Sequence, residues 1–107
     1  MNMNAEESIP VRFTPAALEE INRRIERFAI KNPVLRIGVK KVGAESTEFL
    51  LAFDRVEEKD MVYHEQFCPV VIAAKDLMFV IGMTVDYAIL GERPGFVFRS
   101  ETKEKPH

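Results

Sequence analysis

Few side chains in this sequence are equipped for chemistry. There is one cysteine, Cys68, and there are two histidines, His64 and His107. Carboxylates gather in Arg55-Val-Glu-Glu-Lys-Asp60, and Glu45 and Glu48 flank a small polar stretch; Asp86 stands next to Tyr87. A thiolate is a nucleophile or a soft metal ligand, and an imidazole is an acid–base group or a borderline ligand. Cys68 sits in Phe67-Cys-Pro-Val-Val71, where nothing basic would lower its pKa. The reading of a small buried hydrophobe outweighs that of a ligand there. Arg55–Asp60 lacks the glycine pattern of a cation loop and reads as a solvated turn. The sequence has no serine elbow, no phosphate-cradling glycine loop and no His-Glu metal helix. Asp86 would fall on the opposite face of its strand from Val85, Tyr87 and Ile89, in water. Enzyme is therefore the least favoured class.

These residues must be held by a frame, and alternation reveals it. In Val34–Asp54, Leu35, Ile37 and Val39 alternate with Arg36, Gly38 and Lys40, and Phe49, Leu51 and Phe53 repeat the pattern. A period of two marks a half-buried strand. Gly43-Ala-Glu-Ser46 lies between, so the stretch predicts a long antiparallel hairpin with one apolar face. Before it, Ile9, Val11 and Phe13 outline a short strand, with Pro10 suited to an edge. Thr14-Pro15 opens a helix, Thr14 as cap and Pro15 at the first helical position. Leu18, Ile21, Ile25 and Phe28 form its predicted buried stripe, and Glu19–Arg23 and Glu20–Arg24 pair on its wet side. Asn32-Pro33 is the expected end.

After the hairpin, strands are expected at Met61–His64 and Gln66–Ala73. A short helix follows over Ala74–Ile81, stopped by Gly82, with a strand from Phe79 as the rival reading. Met83–Ile89 alternates again, Gly91–Gly95 is a turn, and Phe96 and Phe98 close the sheet. The pattern is mainly β: an antiparallel meander sheet, curled or in a sandwich, with one N-terminal amphipathic helix and one short helix. Residues 9–98 make one domain, between a flexible N-terminus (1–8) and a flexible tail (99–107).

Composition narrows the function classes. The 107 residues suit a single modest core, and 15 Lys and Arg against 17 Asp and Glu give a net charge of −2. That is no nucleic-acid footprint. A lone thiol excludes an intrachain disulfide framework. With no signal-peptide pattern and no apolar run of membrane-spanning length, the expected location is the cytoplasm.

The same residues carry a resemblance. Leu35-Arg36-Ile37-Gly38-Val39 followed by Gly43 is similar to the central hairpin of the HesB-like, or A-type, iron–sulfur carrier family. That family runs "Leu-Arg-Leu-Gly-Val", a glycine, a ligand cysteine at the tip and then an aromatic strand. Phe13-Thr-Pro-Ala-Ala17 resembles its helix entry, Phe49-Leu-Leu-Ala-Phe53 its "Tyr-Val-Leu-Glu-Phe", and Asp60-Met-Val-Tyr-His-Glu65 its "Asp-Ile-Val-Phe-Glu-Asp". Val85-Asp86-Tyr87 and Gly95-Phe-Val-Phe98 match the last two strands. The resemblance spans roughly residues 9–98. It implies an antiparallel sheet curled into an incomplete barrel, helices against it, and dimerisation through the sheet surface.

It also implies three cysteine ligands for a cluster or for iron: one at the hairpin tip and a Cys-Gly-Cys on the tail. Soft sulfur is what cluster iron prefers. Here the tip holds Ala44, and Arg99–His107 contains no cysteine. The expectation is a non-catalytic relative without the family's ligand set and with no resident cofactor. It would act by contact with protein partners, iron–sulfur assembly proteins among them, and as a homodimer. The alternative is an iron or iron–sulfur carrier with non-standard ligands shared across a dimer, for which Cys68 and His107 are the weak candidates. Glu45 and Glu48 are harder ligands, suited to iron ions rather than clusters, and read as solvated turn residues.

Overall fold

The computed structural model describes residues 8–42 and 46–100. Local chemistry explains where each element starts. β1 is short, Arg12–Phe13, and Thr14 ends it with extended backbone (φ −73°, ψ 161°). The Thr14 hydroxyl then accepts the Ala17 N–H at 3.1 Å, Pro15 takes the first position, and α1 runs Pro15–Arg27. α1 ends earlier than Asn32-Pro33. Ala29 turns left-handed at φ 49°, its N–H bonds to the Glu26 carbonyl, and the Ile30 N–H reaches back to the Ile25 carbonyl. This is a Schellman closure with alanine where glycine is usual. Phe28 therefore leaves the predicted stripe and is 62% exposed.

β2 (Leu35–Val42) and β3 (Ser46–Phe53) form the expected hairpin, in register from Leu35↔Phe53 to Val42↔Ser46. β4 (Asp60–His64) pairs antiparallel with β5 (Pro69–Ala73), and β5 lies parallel to β2, giving a sheet ordered β3-β2-β5-β4. Residues 66–68 bend instead of joining a strand. Val70, Val71 and Ile72 are wholly buried, because β5 is central and covered on both faces.

A 3-10 turn (Ala74–Asp76) leads into α2 (Leu77–Val80), so the helical alternative holds over the strand from Phe79. Gly82 adopts φ 85° and donates its N–H to the Pro10 carbonyl. β6 (Met83–Leu90) and β7 (Arg93–Ser100) form a second hairpin, longer than predicted, with Gly91 and Glu92 as its turn. Arg99 and Ser100, assigned to the tail by sequence, thus belong to a strand. Pro94 is tolerated because β7 is an edge. β1 lies parallel to β6, completing a sheet ordered β1-β6-β7.

Among the described residues the fold is mainly β, in two sheets with two helices and no closed barrel. It is antiparallel except at β1–β6 and β2–β5. The core lies between the sheets and under α1: Ile21, Leu35, Ile37, Val70, Ile72, Val80 and Val85. Phe49 on β3 stacks on Phe98 of β7, centroids 5.2 Å apart, so the two edge strands approach without bonding. Among the described residues no helix is long and apolar enough to cross a membrane.

Candidate functional site

The β2–β3 ladder continues to Val42↔Ser46. Ala44, Glu45 and His107 lie outside the described residues. Glu48 is exposed on β3 opposite Lys40, and His64 is exposed at the end of β4 opposite Pro69. The residues that are described do not converge on one point.

Cys68 is in the core. It is 5% exposed, in the bend that feeds β5, and beside a shallow groove formed by Asn32, Pro33, Val34, Phe67 and Pro69. Burial pushes its thiol pKa up, opposed by a hydrogen bond from the Leu35 backbone. Metal ligation and nucleophilic attack both require the thiolate, which this setting disfavours. Among the described residues no three His, Cys, Asp or Glu side chains gather so as to hold a metal ion. Nor is any buried side-chain nitrogen or oxygen among them left without a hydrogen-bond partner, as a vacated ligand would be.

The charged residues that do converge are structural, and three sequence expectations change. Asp86 was expected in water. Instead it accepts from the Thr14 hydroxyl at 2.7 Å, from Arg99 Nη2 at 3.0 Å and from the Tyr87 N–H at 2.8 Å. Thr14 first, then Arg99, hold its carboxyl below the usual range. It clasps the start of α1 to the β6–β7 hairpin.

Asp60, read as part of a solvated loop, has a side chain only 2% exposed. Arg36 grips it with two bonds, Nη1 to Oδ1 at 2.8 Å and Nη2 to Oδ2 at 2.7 Å. The same guanidinium donates Nε to Asp54 at 2.7 Å and Nη2 to the Arg55 carbonyl at 2.9 Å. Through this pair Arg36 holds the Asp60 carboxyl below the usual range, and Asp60 in turn raises the pKa of the guanidinium. The signal was present in sequence: Arg36 alternates onto the outer face, and acids stand at both ends of the β3–β4 loop.

Glu20 is the third correction. Its expected pair with Arg24 forms, Arg24 Nε donating at 2.7 Å, but Glu20 is buried at 6% exposure rather than wet, and Arg23 Nη1 donates to it at 2.7 Å in place of the expected Glu19–Arg23 pair.

Comparison with known proteins places this frame. No family model matches the chain. It is 30% identical over 88 residues to the iron–sulfur cluster insertion protein ErpA of Shewanella pealeana, covering 81% of this chain and 76% of that one. A solution NMR structure of an Aquifex aeolicus protein is 33% identical with a TM-score of 0.69, covering 94% of this chain and 99% of that one. The crystal structure of IscA with the [2Fe-2S] cluster is 25% identical with a TM-score of 0.69, covering 85% of each chain. Similar in sequence and in fold to these relatives across most of its length, the chain belongs to the HesB/IscA-like family of iron–sulfur assembly proteins.

Proposed function

We propose that this chain works in iron–sulfur cluster assembly by contact with other proteins, holding no cluster through the family's cysteines and catalysing no reaction. The relatives named for cluster insertion and for a bound [2Fe-2S] cluster support the process. The placement of the lone thiol carries the rest of the reading: Cys68 is a buried core residue whose pKa is raised. The tip residue is alanine, and positions 99–107 contain no cysteine. A cluster is typically held by several thiolates. The side chains this sequence offers do not fit one, and no step is assigned to it. The working unit is the domain spanning 9–100, acting as a homodimer.

The test is anaerobic reconstitution with ferrous iron and sulfide, desalting, and a visible spectrum. A colourless protein that co-purifies with cluster-assembly partners is the expected result. A stoichiometric brown chromophore lost in Cys68→Ala or His107→Ala would overturn it and establish a carrier with ligands shared across a dimer.

A further inference from the structure

Two hollows adjoin at the C-terminal half of α1. The first is a cavity of about 140 Å³ between α1 and the unbonded edges of β3 and β7, walled by Ile21, Leu35, Leu51, Phe53 and Phe96. The second is an open groove of about 410 Å³, lined by Glu20, Arg23, Arg27 and Tyr87. Arg24 and Phe28 belong to both.

The two differ in chemistry. The cavity is apolar and has the volume of one large side chain; a dry hole of roughly 150 Å³ accepts a benzene ring. The groove is cationic. Glu20 is its only carboxylate and is committed to Arg23 and Arg24, leaving three guanidiniums against one acid on a chain whose net charge is −2. The guanidiniums are held in place. Arg24 lies 5.1 Å from the Phe96 ring centroid and 5.9 Å from that of Tyr87, and Arg27 lies 5.6 Å from that of Phe28. Stacked arginines lose little freedom on binding an anion. Phe28, exposed because α1 closes early, forms part of the rim.

We propose that this composite hollow is a docking site for an acidic segment of another protein, which seats one large apolar side chain in the cavity and lays its carboxylates on Arg23, Arg24 and Arg27. The proposal rests on the protein-contact reading and names the chemistry of the contact. One apolar anchor ringed by charge is the usual layout of a binding hot spot. An aliphatic carboxylate of low mass would fill the cavity and leave most of the wide groove empty.

The test is an NMR titration of the full-length, isotope-labelled chain with the peptide acetyl-Asp-Glu-Phe-Asp-Glu-amide. Shifts should cluster on 20–28, 51–53 and 96. Replacing the peptide's phenylalanine by alanine should weaken binding about tenfold or more. Replacing its acids by lysine should abolish it, and raising salt from about 50 to about 300 mM should weaken it. Arg27→Glu, on the surface, should weaken binding with an unchanged melting temperature. Leu51→Trp, which takes up part of the cavity, should weaken the preference for phenylalanine over alanine.

Equal binding of the alanine or lysine peptide, shifts elsewhere, or hexanoate binding as tightly as the peptide would overturn the proposal. A chain that acquires a cluster yet binds the peptide refutes only the cluster-free reading. A colourless chain that ignores the peptide refutes only this one.

Discussion

Replacing Arg36 by methionine separates the charge of that residue from the packing of its stem. Met preserves most of the apolar stem and removes the guanidinium. Four hydrogen bonds go: two to Asp60, one to Asp54 and one to the Arg55 carbonyl. Asp60 is left nearly sealed, at 2% side-chain exposure, with the Glu57 N–H still donating to it at 2.6 Å. Stranding one member of a buried pair costs about 3–5 kcal/mol. Arg36 itself is 19% exposed and opens to solvent on the Asp54 side, so screening lowers the figure to about 2–3 kcal/mol. For a chain near 100 residues that is a drop in melting temperature of roughly 10–20 °C. The pH dependence has a definite sign. Arg36 holds the Asp60 and Asp54 carboxyls below the usual range, so its contribution is complete above about pH 4 and is lost as pH falls further. Urea unfolding of both proteins at pH 7 and pH 3 should show a wide gap that closes in acid. Arg36→Met with Asp60→Asn should recover part of the loss at pH 7. A variant within about 0.5 kcal/mol of the parent at pH 7, or a gap unchanged at pH 3, would refute the reasoning.

Thr14→Ala should cost about 1–2 kcal/mol in urea unfolding, because the hydroxyl both caps α1 and donates to Asp86, and Thr14→Ser should restore most of it. Ala29→Gly should stabilise by about 0.5–1 kcal/mol, since φ 49° at the helix terminus favours glycine. Gly82→Ala should destabilise by about 1 kcal/mol through its φ of 85°, although no atom lies within 4 Å of the added methyl; Gly38→Ala, whose Cβ would meet Asp76 Oδ2 at 3.8 Å, should be tolerated. Cys68 should react with Ellman's reagent about a hundredfold more slowly in the native chain than in urea, as a buried thiol with a raised pKa must.

Local signals were legible and distant ones were not. Thr14-Pro15 marked the start of α1 because capping is chemistry between near neighbours. Its end was misplaced because Phe28-Ala-Ile-Lys31 contains no breaker; the chain leaves the helix through backbone bonds at Ala29 and Ile30 that no residue type announces. The β2–β3 hairpin followed from alternation, whereas the parallel joins β1–β6 and β2–β5 link segments that carry no mutual mark. Asp86 shows the same limit: its face was read correctly from Val85 and Tyr87, but Thr14, 72 positions away, is what fills that face. Glu20 was read as a wet residue because the i, i+4 spacing to Arg24 is blind to how α1 is rolled toward Tyr87 and Phe96. The missing thiols at the tip and tail needed only the sequence. The core placement of Cys68 was also visible there, since an apolar run with no cation nearby gives a thiol no reason to ionise.

The Arg36 clasp lies away from the end of the β2–β3 ladder. Arg36 is near the base of the β2–β3 hairpin, and six residues of strand, about 20 Å, separate it from Val42 at the tip. The Thr14–Asp86–Arg99 clasp holds the start of α1 against β6 and β7. Between them runs a core of aliphatic side chains from both sheets and α1, closed by the Phe49–Phe98 stack. In small metal-dependent domains the binding energy of the ion is the folding energy, and loss of the ligands unfolds the chain. Here burial and ion pairs among the described residues supply the stability. The family's cluster chemistry and the energetics of its fold occupy different residues of this chain. A member without the ligand cysteines can therefore keep the whole frame, together with any surface on that frame that meets another protein.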